Sequence, residues 1–260
     1  MIAIPAKVKE RITSALKKYQ PILEKAQSKD INESDTVTIL VDILAEMFGY
    51  DKFFEITSEY AIKHTYCDLA IKLDNIPRLL IEVKSAGLDL KAQHVKQSVD
   101  YGANSGIDWV ILTNGVFWKI YKIIFSKPIS TELVYEFNML ELSARKPKDL
   151  EQLYLLTREA MAKSNNANSL EDFHSHKQVI NKYTISQILL SDEVVKVVKS
   201  VLKKMGAKSN LDPMEIREVI KNDIIKREVL DSEKSIEANK KVTKALKPTK
   251  KPIKPNIQTE

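Results

Sequence analysis

Cysteine is almost missing from these 260 residues, Cys67 being the only one. An internal disulfide framework is thereby excluded, and a lone thiol fits a reducing compartment. Long apolar runs are missing too. No stretch approaches the roughly 20 residues that a bilayer-spanning helix needs, and the opening MIAIPAKVKERITSALKKYQ turns charged before the apolar core of a secretion signal could form. A cytoplasmic protein with no membrane attachment is expected. No internal repeat is seen.

A basic surplus is also missing from the body of the chain. The formal net charge is +6, but residues 240–260, KKVTKALKPTKKPIKPNIQTE, hold seven lysines and one acid and account for all of it. The rest is formally neutral, so any positive face there must come from segregated charges. The Lys- and Pro-rich end has few large apolar groups. It is expected to be disordered over 236–260, as a solubilising end or a phosphate-binding arm.

What is present is the composition of a soluble globular protein, 43% hydrophobic and 29% charged, with room for one ordinary domain and a smaller one. Val8, Ile12, Leu16 and Tyr19 mark a first helix that pauses near Pro21. Asn32 caps a second, with an inward stripe of Val37, Leu40, Val41, Leu44 and Phe48 and a stop at Gly49. Glu33, four residues before Val37, should open that inward face. The pattern then alternates, which predicts strands over 52–62, 66–73 and 78–84, the last two joined by a turn in 74–77.

A helix over 91–104 with Val95 and Val99 inward comes next, followed by a buried strand at 108–113. Asn114-Gly115 folds that strand into a hairpin with VFWKIYKI. The order strand, helix, strand implies a right-handed crossover and parallel pairing. A strand at 132–138 can extend the sheet. Beyond Pro147 the patterns are helical, at 149–162, 191–206 and 212–230, with 162–170 the most linker-like segment. The expectation is an α/β protein: a helix-flanked mixed sheet over 1–145, a helical domain over 146–235 and the basic tail.

The stretch LLIEVKSAG (79–87) raises the question of function. Leu79, Ile81 and Val83 take one face of a strand, leaving Glu82 and Lys84 on the other. On the preceding strand Asp68 and Ala70 share a face. A three-residue loop Asn75-Ile76-Pro77 would pair Asp68 with Lys84 and Ala70 with Glu82, whereas a two-residue loop would separate the acids unless a bulge compensates. Two carboxylates with a lysine suit Mg²⁺-assisted phosphoryl chemistry, because Mg²⁺ takes oxygen ligands and Lys84 can orient or activate a water and offset phosphate charge. On the next helix Gln97 and Tyr101, four apart, share a face.

Asp68, thirteen residues, Glu82-Val83-Lys84, then Gln97-x-x-x-Tyr101 resembles the PD-(D/E)xK nuclease superfamily. NESDTVTILVDILAEMFGYD, EYAIKHTYCDLAI, LLIEVKSAG, QSVDYG and WVILTNGVFWKIYKI are similar to the N-terminal nuclease domain of type I restriction enzyme R subunits. The resemblance covers about residues 30–125. It implies a restriction-endonuclease-like sheet and a Mg²⁺- or Mn²⁺-dependent phosphodiesterase acting on DNA. Asp68 and Glu82 would be metal ligands, Lys84 the catalytic lysine, Gln97 and Tyr101 helpers, and Glu33 the acid often carried on the preceding helix. Other restriction or phage-defence proteins are the implied partners. The superfamily's proline is Cys67 here. No GxxxxGK[ST] loop and no Asn-Pro-Pro-Tyr/Phe motif occurs, so neither the R subunit's ATP-driven motor nor a methyltransferase is expected. The other reading is an inactive DNA-binding or protein-interaction module reusing the fold. His94, His174 and His176 have no ligand set around them, and Trp109 and Trp118 read as packing residues.

Overall fold

A computed structural model describes residues 2–62, 65–162, 170–208 and 210–247. The chain divides into two compact units, Met1–His174 and Ser175–Glu260. In the first, α1 (Ala6–Ser28) and α2 (Glu33–Glu46) precede β1 (Ile56–Ile62), β2 (Thr65–Leu73) and β3 (Ile76–Val83). A short 3₁₀ turn leads into α3 (Lys96–Ser105), and β4 (Trp109–Thr113), β5 (Phe117–Ile124) and β6 (Ser130–Asn138) complete a six-stranded sheet in sequence order. Only β3 and β4, the pair bridged by α3, run parallel among neighbours; the others are antiparallel. This is the expected crossover, required because a hairpin cannot join parallel strands.

Both sheet faces are covered. Leu69, Ile71, Leu79, Ile81, Val83, Ile111, Trp118 and Ile120 pack against α1 and α2 in the larger core. Ala70, Leu80, Val110, Leu112 and Tyr121 meet Val95 and Val99 of the α3 region in the smaller one. That arrangement explains why β4 is apolar up to its last residue, Thr113: all five of its residues are buried.

Several local expectations are corrected. Helix α1 does not pause at Pro21, which lies exposed within it, because Tyr19, Leu23 and Ala26 stay buried on the far side and tertiary packing outweighs one missing backbone bond. In α2 the inward stripe is Thr36, Leu40, Ile43 and Leu44, leaving Val37 and Val41 half-buried and Glu33 exposed at the first turn. The expected helix at 149–162 breaks at Thr157 into α4 (Pro147–Tyr154) and α5 (Arg158–Met161). Leu150, Leu153, Tyr154, Leu155, Leu156 and Ala160 are buried in the larger core. The division of the chain thus falls at 174/175, not after 145.

After α6 (Leu170–Val179), the second unit holds α7 (Lys182–Leu189), α8 (Asp192–Lys204), α9 (Pro213–Val219), a π-helical turn at Ile220–Ile224, α10 (Arg227–Leu230) and α11 (Glu233–Leu246). Val195, Ile216, Ile220, Ile225 and Val229 form its core. Helix α11 overturns disorder from residue 236. Its buried face is Ser235, Ala238 and Val242, a correct helical spacing made of small residues that carry little hydropathy signal. Residues 248–260 and most of the linker at 162–170 lie outside the described residues. Among those described, no helix is long and apolar enough to cross a membrane.

Candidate functional site

Asp68, Glu82 and Lys84 come together at the end of β3 through the shorter of the two turns considered, with its compensating bulge. Asp74 and Asn75, with φ of 53° and 62°, form a two-residue turn closed by Leu73 opposite Ile76. Asp and Asn tolerate this left-handed backbone, which tight hairpins favour. The turn alone would put the two acids on opposite faces. A bulge restores the phase: Lys72 pairs with Pro77 but Ile71 with Leu79, so Arg78 is the extra residue. From there Ala70 faces Leu80 and the two strands are again in step.

The β2–β3 pairing ends at Leu69 opposite Ile81. Beyond it, side chains of β2 meet the β3 backbone. The Val83 N–H donates to Asp68 Oδ2 at 2.7 Å, and the Cys67 thiol donates to the Ile81 carbonyl at 3.3 Å. Asp68 is thus fixed by one oxygen while the other is left for the site. Burial raises its pKa to about 6; the Val83 N–H pulls the other way, the Glu82 and Glu33 carboxylates add to the rise and Lys84 opposes it.

Glu82 is 9% exposed and fully engaged: Oε1 accepts from Lys84 Nζ at 2.8 Å and Oε2 from the Ser98 hydroxyl at 2.5 Å. Lys84 Nζ also donates to the Val83 carbonyl at 2.6 Å and to Glu33 Oε2 at 3.2 Å. Three oxygens therefore surround one ammonium. Burial works against that charge, but the Glu82 hydrogen bond and the carboxylates of Glu82, Glu33 and Asp68 outweigh it and hold the lysine pKa above its ordinary value. Lys84 is accordingly held as a cationic donor among these oxygens. Glu33, expected as a third metal acid, is an exposed ion-pair partner of Lys84. Among the described residues no three His, Cys, Asp or Glu side chains are grouped to hold a metal ion.

The lysine is held by its neighbours as well. Its own N–H donates to the Thr113 carbonyl at 2.9 Å. In the following loop the Ala86 N–H donates to the Ile31 carbonyl and the Gly87 N–H to Asp30 Oδ1. The buried Asn114 amide donates to the carbonyls of Ala86 and Leu88, while its Oδ1 accepts from the N–H groups of Val116 and Phe117. Asn114 is therefore both the hairpin residue read from the sequence and an anchor for the loop after Lys84.

On α3 the two expected residues bond to each other, and a third, Ser98, reaches Glu82. Gln97 is exposed and donates to the Tyr101 hydroxyl at 2.9 Å; Tyr101 packs in the smaller core. Ser98 is the α3 side chain on Glu82. It is fully buried and 3.8 Å from Cys67 Sγ, whose thiol burial pushes up to about 12, an inert packing and bonding group. Ser98 was legible after all, since Val95, Ser98, Val99 and Gly102 follow one helical stripe and are all buried. Ser98→Ala would leave the buried Glu82 Oε2 without its donor. A loss of about 1–3 kcal/mol in urea unfolding is expected, the usual cost of an orphaned buried acceptor, and unchanged stability would show the contact to be dispensable.

The other residues lie elsewhere. His94 Nδ1 accepts from the Lys91 N–H, and His174 pairs with Glu132. Trp118 and Trp109 are buried packing residues. No curated protein and no solved structure matches the chain. Residues 35–134, which span nearly all of α2, the sheet into β6 and every site residue except Glu33, match the family model described as type I restriction enzyme R protein N terminus (HSDR_N), and it is this stretch, not the flanking helices, that is similar to that domain.

Proposed function

We propose that the first unit is a Mg²⁺- or Mn²⁺-dependent nuclease domain that hydrolyses phosphodiester bonds in DNA, with other restriction or phage-defence proteins as its partners. The observation that carries this reading is the convergence of Asp68, Glu82 and a protonated Lys84 at the end of β3, within a stretch similar to a restriction-enzyme domain. The donors suit a hard divalent ion. Two carboxylates and the Val83 carbonyl offer oxygen only, and Mg²⁺ is commonly held by one or two carboxylates with waters and phosphate oxygens. The chemistry such an ion supplies when bound is charge stabilisation at the phosphate and a more acidic water.

The chain's own groups divide the remaining work. Asp68 and Glu82 provide the negative charge that would hold the ion. Ser98 keeps Glu82 in one rotamer. Lys84, now among oxygens of Glu82, Val83 and Glu33, already occupies a place where a cation is favoured; with a second cation present it can turn its ammonium to a phosphate oxygen or the attacking water. Gln97, exposed on α3 and tethered to Tyr101, can add a hydrogen bond to substrate.

Incubating the full chain with supercoiled and linear DNA and either Mg²⁺ or Mn²⁺ should give nicked or shortened products, with none in EDTA. Failure to cut any DNA form with either ion would overturn the proposal and leave the non-catalytic module as the better reading.

A further inference from the structure

The site-bearing face of the sheet continues past Glu82. In the strand register Glu82 lies beside Leu112, Leu112 beside Lys119 and Lys119 beside Glu136, one row across β3, β4, β5 and β6. With strands roughly 4.8 Å apart, Lys119 stands about 10 Å from Glu82 along that row. The row leaves the smaller core after Leu112 and ends in solvent at Glu136. A groove of about 580 Å³ opens between the loop after Lys84 and the start of β5, with Phe117 and Asn138 as cross-strand neighbours in its wall. Phe117 is 39% exposed, an aromatic face left to solvent in a wall that Leu90, Trp118 and Phe137 also help to form.

The charges of the groove select which part of a DNA strand could enter. Asp89, Glu136 and Glu141 line it against Lys91 and Lys119, and the Lys119 ammonium already donates to the Leu90 carbonyl at 2.9 Å and lies 3.9 Å from Glu136. A phosphate would meet a surplus of carboxylate. A nucleobase would not: it is uncharged, every base has a face that stacks on an aromatic ring, and a carboxylate accepts from an exocyclic amino group, as from cytosine N4. Glu136 is largely exposed and so available for that bond.

We propose that this groove binds an unstacked nucleobase of the DNA strand crossing the site, its face on Phe117 and its amino edge toward Glu136, so that amino-bearing bases are preferred over thymine. The phosphates then stay outside, on the Lys84 side. The inference rests on the DNA-cleaving reading and names the kind of strand that reading takes: one with at least one base out of its stack, as in single-stranded or opened DNA.

The test is fluorescence anisotropy of the full chain with labelled oligo(dC) and oligo(dT) of equal length, in EDTA so that no cutting occurs. Tighter binding of oligo(dC) is expected, with an approximately tenfold loss for Phe117→Ala, retention by Phe117→Trp, and a narrowed dC/dT difference in Glu136→Gln. Equal affinity for the two oligonucleotides, no binding of either, or unchanged binding by Phe117→Ala would each overturn the proposal. Thermal melting of the variants checks that the exposed Phe117 has been removed without unfolding. Because this assay needs no metal, a wild-type protein that shows the base preference here yet cuts no DNA with Mg²⁺ or Mn²⁺ would sink the nuclease reading and leave the groove standing.

Discussion

Glu82→Gln is expected to lower Mg²⁺-dependent DNA cleavage by at least 10²–10³-fold, the scale on which removal of one preorganised electrostatic group acts, while changing stability by less than about 1 kcal/mol. Glutamine fills the same volume; its carbonyl oxygen can accept from Lys84 while its amide N–H donates to the Ser98 hydroxyl, which turns from donor to acceptor, so both contacts can be kept in neutral form. What disappears is one negative charge beside Asp68, whose own ionisation becomes easier once Glu82 no longer opposes it. Fold and charge are thus separated by a single substitution. Lys84→Met should fall to a similar level, and the double variant should be far less impaired than the product of the two, because residues acting as a unit lose their joint effect once. Time courses of plasmid nicking alongside urea unfolding curves decide the matter. A Glu82→Gln protein that cuts at the wild-type rate would remove this carboxylate from the chemistry.

Much of this site could be read because alternation constrains parity. Leu69, Ile71 and Leu73 on one strand and Leu79, Ile81 and Val83 on the other must all face the larger core, and paired residues share a face, so the register must have an even sum. Ala70 and Glu82 then have to share the opposite face, and Asp68, just past the last pair, is brought to the site by its bond to the Val83 N–H. Of the two turns left open by the sequence, a three-residue loop or a shorter one with a bulge, the second is found: Asp74-Asn75 adopts left-handed backbone and closes the hairpin in two residues, which gives an odd sum, and the bulge at Arg78 is what burial of the apolar set demands to correct it. A bulge leaves no mark in local propensity. It could only be inferred by requiring that turn and core agree.

The remaining differences have similarly specific causes. Ser98 was passed over for Gln97 because a polar residue with a long side chain draws attention, whereas the residue on the buried helix stripe is the one that reaches Glu82. Asn114 looked like turn chemistry alone, and its amide bonds to Ala86 and Leu88 are long-range contacts invisible in the dipeptide. Helix α11 was lost in a lysine-rich composition because Ser235 and Ala238 pack without being hydrophobic in the usual sense. Helices α4 and α5 went to the wrong domain because the end of strand signals was taken for the end of the core, while their leucines still fill it.

Trp118→Ala should destabilise the first unit by about 3–5 kcal/mol. Trp118 is fully buried in the larger core, stacked on Phe137 at 5.9 Å and edge-on to Phe48 at 5.7 Å, and its indole N–H donates to the Gly115 carbonyl at 2.8 Å. Alanine would remove the ring, open a cavity between α2 and β6, and leave that carbonyl without its donor. Trp118→Phe, which keeps most of the apolar volume but not the N–H, should cost about 1–2 kcal/mol, so the pair of variants separates packing from hydrogen bonding. Urea unfolding provides the measurement. Its neighbour Phe117 points to the other face of β5, so the two adjacent aromatics should fail differently: Phe117→Ala in nucleotide binding with the fold intact, Trp118→Ala in stability. If Phe117→Ala proved as destabilising as Trp118→Ala, the face assignment of β5 would be wrong, and with it the row that joins Glu82 to the groove.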